Sequence, residues 1–154
     1  MKNDVPPKPA SSPGHKSSQN ALLGARGEAA ALAFIRSQQW DLVAKNWRPA
    51  GVYQGFEIDI IARDHGVLVF VEVKTRTGGQ KVPVHTAFNK RKQRTMAEAA
   101  RRYLSVENLW GTPCRFDLIC LIRQPDDLFE VQHYAHVLEF GNALDSRHTT
   151  WQPW

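Results

Sequence analysis

The stretch VLVFVEVKTR, residues 67–76, sets the tightest limit on what this chain can fold into. Val67, Leu68, Val69, Phe70, Val71 and Val73 form a β-branched and aromatic run of the kind that fills a strand covered on both faces. Glu72 and Lys74 interrupt that run with a carboxylate and an ammonium. Residues two apart in a strand share a face, so the two charges point the same way. Taking a charge out of water is costly unless it is paired or bound to a metal, so this strand needs partners for both groups. A salt-bridged pair at a sheet edge is the plainest arrangement that meets the need.

The flanking residues supply the rest of a sheet. Residues 24–38, GARGEAAALAFIRSQ, are rich in Ala and Leu and read as a helix. Residues 40–46 read as a short strand and 56–63, FEIDIIAR, as an Ile-rich one, which the Asp64-His65-Gly66 turn joins to 67–74 as a hairpin. A TGGQKVP loop leads to a second helix over 87–104, and strands follow at 115–122 and, more weakly patterned, at 128–134. This order predicts an α/β fold, a mixed central sheet flanked by helices. With 154 residues and 42% hydrophobic content there is enough apolar surface for one core, and no internal repeat or second domain is visible. Residues 21–140 are expected to form the domain. Residues 1–20, rich in Pro, Ser, Lys and Gly, are expected to be a disordered tail, and 141–154, ending in TTWQPW, a C-terminal tail.

No stretch has the roughly 20 apolar residues of a membrane helix, and the N-terminal residues lack the apolar run of a signal peptide. A soluble, cytoplasmic protein is expected. Cys114 and Cys120 are spaced neither as a CxxC redox pair nor as a zinc knuckle, and read as packed thiols. His133 and His136 lack the HExxH context of a zinc protease and read as surface or packing residues.

Further charges gather around the central strand. Glu57 and Asp59 share a face on the preceding strand, and the hairpin can bring Asp59 near Glu72. On the first helix, at 100° per residue, Glu28 falls on the stripe of Ala31, Leu32 and Ile35, the face that should rest on the sheet. Glu28, Asp59 and Glu72, with Glu57 as a further candidate, would then face Lys74 alone. That deficit of positive charge asks for a divalent cation, and oxygen ligands without His or Cys favour Mg2+ or Mn2+. Taken singly, Glu28 reads equally well as a carboxylate near a helix N-terminus, where the dipole favours it.

Basic residues outnumber acidic ones by 20 to 15 and the isoelectric point is near 9.5, a balance that leans towards an anionic partner. The surplus lies within 90–102, where Lys90, Arg91, Lys92, Arg94, Arg101 and Arg102 stand against Glu98 alone. Such a strip can hold a phosphate backbone or be a solvated helix face. Lys92 falls on the apolar stripe of Phe88, Ala99 and Tyr103, whereas Arg91, Arg94 and Arg102 do not, so Lys92 is the one placed to turn towards the sheet.

An Asp, an ExK triplet thirteen positions later and a Glu on the preceding helix together resemble the PD-(D/E)xK nuclease superfamily. Glu28 makes the pattern similar to archaeal Holliday-junction resolvases. From residue 24 to about 122 the chain looks closer still to the small bacterial YraN-like family, through GARGEA at 24–29, EIDIIARD at 57–64, FVEVKTR at 70–76, KRKQ at 90–93 and RFD at 115–117. Two positions depart: Ile58 stands where the superfamily's name has Pro, and Phe56 where the YraN-like pattern usually has Gly.

The resemblance implies a restriction endonuclease-like three-layer core and a metal-dependent endonuclease that hydrolyses DNA phosphodiester bonds, with branched or structured DNA as the substrate class. It implies that Asp59 and Glu72, with the Val73 carbonyl, hold Mg2+ or Mn2+. Lys74 would orient the attacking water or stabilise the pentacovalent state, and Glu28 would ligate a metal through water or position the nucleophile. Arg76 and the basic residues of 90–102 would grip backbone phosphates without reading sequence. Junction cleavage would call for a homodimer. Two other readings stay open: a nucleic-acid-binding accessory protein that keeps the nuclease fold without turnover, and an α/β protein with a structural ion pair.

Overall fold

A computed structural model describes residues 13–51, 55–78 and 83–138. Helix α1 (Pro13–Ser37) is followed by β1 (Asp41–Trp47), β2 (Ile58–Asp64), β3 (Val67–Thr77), α2 (Val84–Ala87), α3 (Lys90–Val106), β4 (Cys114–Arg123) and β5 (Phe129–Leu138). The strands form one sheet in the order β1-β2-β3-β4-β5. β3 and β4 run parallel, which needs the long helical crossover that joins them, and the other neighbouring pairs are antiparallel.

Alternation along β3 and β4 sorts the apolar residues into two cores. Leu68, Phe70, Phe116, Leu118 and Cys120 pack with Met96, Ala99, Ala100, Tyr103 and Leu104 of α3. Val69, Val71, Ile119 and Leu121 pack with Ala31 and Ile35 of α1 and with Trp40. The result is helix, mixed sheet, helix: the three-layer α/β arrangement that the element order predicts. Phe70 anchors the α3 side, fully buried with the rings of Tyr103 and Phe116 at 5.9 and 5.4 Å. Truncating such a ring to Ala costs about 3–5 kcal/mol.

Two glycines are required by geometry. His65 (φ 47°) and Gly66 (φ 90°) both take left-handed backbone, the combination a two-residue hairpin turn needs between β2 and β3. At Gly27 a Cβ would lie 2.0 Å from Thr75 Oγ1, so only glycine lets α1 approach β3 this closely.

Several boundaries differ from the sequence expectation. α1 starts at Pro13 and so takes in residues 13–20, which composition assigns to a disordered tail. Once the Ala-rich segment has nucleated, adding residues to a helix costs far less than starting one. The helix expected over 87–104 is divided, because Asn89 is extended and its side chain caps α3 by accepting the Lys92 N–H at 3.0 Å. Residues 1–12 of the expected N-terminal tail, and the C-terminal tail 141–154, lie outside the described residues. Cys114 and Cys120 are free thiols packed into the sheet, and burial pushes Cys114 up to about 12. No helix among the described residues is long and apolar enough to cross a membrane.

Candidate active site

The β2–β3 ladder runs from the Asp64–Val67 pair to the Ile60–Val71 pair. One step further, the Asp59 side chain replaces a backbone partner: its Oδ2 accepts the Val73 N–H at 2.7 Å. A residue's N–H and C=O leave a strand on the same side, so the Val73 carbonyl is directed to that same edge. Glu72 points under α3, like Leu68 and Phe70, and is only 1% exposed. Its Oε1 lies 2.5 Å from Lys74 Nζ and its Oε2 lies 2.6 Å from Lys92 Nζ, which α3 delivers from its first turn. Despite that proximity, Oε2 is outside hydrogen-bond geometry. Lys92 therefore compensates the charge of this oxygen through an ion pair, without the directed geometry of a hydrogen bond.

Electrostatics sharpen the picture. Burial, and then the charge of Glu72, push Asp59 up to about 7, against the opposing pull of the Val73 N–H, Lys92 and Lys74. Two carboxylates that resist joint ionisation take up a proton or a cation. The available donors are all hard oxygens: Asp59, Glu72 and the Val73 carbonyl. As a donor set these oxygens fit Mg2+ or Mn2+, with Lys92 occupying Glu72 Oε2 in this structure. Among the described residues no group of three or more His, Cys, Asp or Glu side chains gathers at one point, so a cation here would complete its shell with water or substrate.

The arrangement corrects the sequence reading in three places. Glu28 does not lie on the buried face of α1: it is exposed, the buried line is Gly27, Ala31 and Ile35, and α1 covers the sheet face opposite Glu72. Glu57 turns away to pair with Arg48 at 2.5 Å. The expected deficit of positive charge is absent, since Asp59 and Glu72 face both Lys74 and Lys92. Lys92 does reach the sheet, as its position on the apolar stripe suggests.

The rest of the basic strip divides. Arg101 and Arg102 are both held by Glu98, at 2.7–2.9 Å, and Arg102 stacks over Phe56. Lys90, Arg91 and Arg94 are exposed and, among the described residues, in no ion pair, while Arg76 is exposed near the end of β3. α3 has no acidic residue in its first turn. Cations there oppose the helix dipole at a cost of about 0.3–1 kcal/mol each, which an anion bound at that end would offset.

Two clusters escaped the sequence reading. Asp117 is fully buried and bound to Arg115, to His133 Nε2 and to the His136 backbone N–H; His133 is a packing residue, against Phe34 and Trp40, and His136 is exposed at the surface. Its signal was present, a lone carboxylate in the apolar run RFDLICLI. Arg26 and Arg123 meet at Asp127, over a sequence separation that no local pattern reveals.

Residues 27–121 match a family described as Uncharacterised protein family UPF0102. The chain is 39% identical over 133 residues to a UPF0102 protein of Lawsonia intracellularis, covering 86% of this chain and 96% of that protein. It is 33% identical over 131 residues to one from Nitratidesulfovibrio vulgaris (85% and 94% covered). With one from Geobacter sulfurreducens the identity is 36% over 129 residues (83% and 97%).

Proposed function

The chain belongs to the UPF0102 family, the YraN-like group, and from that premise we infer that it is a metal-dependent endonuclease of restriction endonuclease-like fold. It hydrolyses phosphodiester bonds of nucleic acid, DNA in the first place, with branched or structured DNA as its substrate class. The observation that supports this most is the meeting of Asp59, Glu72, Lys74 and Lys92 where the β2–β3 ladder stops. Asp59 with its raised proton affinity, a buried second carboxylate and two ammonium groups at one strand end suit a site for a metal and a phosphate.

Asp59, Glu72 and the Val73 carbonyl would hold Mg2+ or Mn2+, whose chemistry there is to acidify a water and neutralise charge at phosphorus. Glu72 fixes Lys74 and Lys92 in advance, so their ammonium groups need little reorganisation to face the charge that develops on the phosphate oxygens. Lys90, Arg91, Arg94 and Arg76 grip the flanking backbone by charge, which carries no sequence information. Glu28 follows Gly27, which abuts Thr75, and so stands in solvent beside the end of β3. It acts at most at the margin, and Glu28→Ala is expected to leave the cleavage rate within about threefold, an effect well below that of removing one oxyanion donor.

A second reading has its own support. Two lysines balance two carboxylates, which is how a protein that binds nucleic acid without cutting it would keep this site stable. Cleavage of labelled single-stranded, duplex, flap and four-way-junction DNA in Mg2+ or Mn2+, with Asp59→Ala and Lys74→Ala alongside, separates the two. Cutting that is lost in both variants and in chelator supports the nuclease. Binding without cutting, equal in all three proteins, supports the accessory module.

A further inference from the structure

The parallel strands β3 and β4 finish side by side at Thr77 and Arg123. Arg123 lies on the α1 side of the sheet, two and four residues beyond Leu121 and Ile119, while Glu72 and Lys74 lie on the α3 side. At this rim Arg26 of α1 and Arg123 converge on Asp127, in the turn before β5. Arg123 Nε reaches the carboxylate at 2.5 Å, the Arg26 guanidinium takes its other oxygen, and Arg26 also donates to the Asp127 carbonyl at 2.7 Å. Arg26 is further fixed by stacking over Phe129 at 5.8 Å.

Two guanidinium groups share one carboxylate, so a net positive charge remains, and their side chains are 39% and 43% exposed. The surface is hollow on both sides of Arg123. One cleft of about 310 Å³ is bounded by Leu22, Leu23, Arg26 and Arg123, and another of about 440 Å³ by Thr77, Gly78, Arg123, Gln124 and Pro125. A clamp that only tied α1 to the sheet would need one arginine and no clefts. Planar guanidinium forks, pre-set by a carboxylate and presented beside a concave surface, match the oxygens of a phosphate.

We propose that Arg26 and Arg123, oriented by Asp127, form a second phosphodiester-binding subsite that holds the substrate backbone on the α1 side of the sheet end. This rests on the nucleic-acid reading of the site on the other side. From Lys74 to Thr77 is about 10 Å along the strand at roughly 3.3 Å per residue. Phosphates of one strand are more than their roughly 3.4 Å axial rise apart, so one or two backbone steps cover that distance. A backbone engaged at Lys74 and Arg76 can thus continue round the rim to Arg123, and the substrate straddles the end of the sheet.

The test is binding of a labelled duplex and its single strand, in DNA and RNA versions, across a series of salt concentrations in chelator so that nothing is cut. The chain is compared with Arg26→Gln, Arg123→Gln, Asp127→Asn and, as a reference, Arg91→Gln/Arg94→Gln, with melting temperature recorded for each. Each subsite arginine variant is expected to bind about 3–10-fold more weakly and to lower the slope of log K against log salt by about 1. Asp127→Asn is expected to bind more tightly, because it unmasks charge. The sugar type showing these changes identifies the backbone. A purely structural clamp would lower the melting temperature in all three and leave binding and its salt slope unchanged, Asp127→Asn included, which overturns the proposal. If the reference variant loses slope and the subsite variants do not, this subsite alone fails. If the unaltered chain binds none of the probes, the nucleic-acid reading fails with it.

Discussion

Two buried carboxylates sit one register step apart on neighbouring strands and are treated in opposite ways. Asp117 of β4 lies opposite Val71, and Glu72 of β3 opposite Leu118; they are 0% and 1% exposed and point to opposite faces of the sheet. Asp117 accepts from Arg115 Nε at 3.1 Å and from the His136 N–H at 3.1 Å, and pairs with His133 Nε2 at 2.9 Å. Arg115 is itself held by Asp64 at 2.8 Å and stacks over Trp40. Burial alone would raise the Asp117 pKa, but the bonds from His133, the His136 N–H and Arg115 outweigh it and hold the group below its usual range. Among the described residues Glu72 meets only the two lysine ammonium groups, and after burial its charge is what raises its neighbour Asp59. Asp117 is locked by directed hydrogen bonds from three residues, whereas Glu72 is held by mobile ammonium groups beside a second acid, the arrangement a ligand site would use.

Mutation should separate the two carboxylates by what each loses. Asp59→Ala and Glu72→Ala are expected to lower the single-turnover cleavage rate by at least about 10²–10³-fold, the scale of losing one electrostatic contact to the transition state. Asp117→Ala should instead cost about 1–3 kcal/mol of stability, measured by urea unfolding, because it leaves the buried His136 N–H and the Arg115 Nε without their acceptor while Asp64 still holds the Arg115 charge. The pH dependence has a definite sign. A lowered folded-state pKa gives stability that is present above the ordinary value of 3.8 and is lost as pH falls through the folded value. The gap between the chain and Asp117→Asn should therefore close below about pH 4.

Asp59 carries the opposite sign. Its folded-state pKa of about 7 lies above 3.8, so its ionisation removes stability as pH rises between those values. Relative to the unaltered chain, Asp59→Asn should be roughly 1–3 kcal/mol better off at pH 8 than at pH 4 without divalent ions, seen as a crossing of the melting curves. The smallest of these effects concerns Lys92. Lys92→Met should bind Mn2+ about 3–10-fold more tightly by calorimetry, since a competing cation 2.6 Å from Glu72 is gone, while cleaving more slowly. Weaker Mn2+ binding in this variant would mean that Lys92 supports the metal site rather than competing with it.

The sequence was most legible where side chains carry a strong signal. The apolar run around Glu72, the Ile-rich β2 and the Ala-rich α1 announce themselves, and with them the order of the layers. Lys92 could be turned inward because Phe88, Ala99 and Tyr103 mark its face with bulk. Glu28 was misplaced because the true buried line of α1 begins at Gly27, which has no side chain to register as apolar. Half-buried Leu32 then drew the stripe round towards Glu28. The Glu98 pairing of Arg101 and Arg102 was readable from its i+3 and i+4 spacing. The meeting of Arg26 with Asp127 was not, since it depends on tertiary closure.

The most direct test is a single-turnover cleavage comparison of Glu72→Gln and Asp117→Asn, each at a temperature where both are fully folded, on the DNA that the unaltered chain cuts best in Mn2+. The expected result is that Asp117→Asn cuts at the unaltered rate per folded molecule and Glu72→Gln does not cut. Undiminished cutting by Glu72→Gln, or an equal loss in the two variants, would contradict the assignment of one carboxylate to the chemistry and the other to the fold.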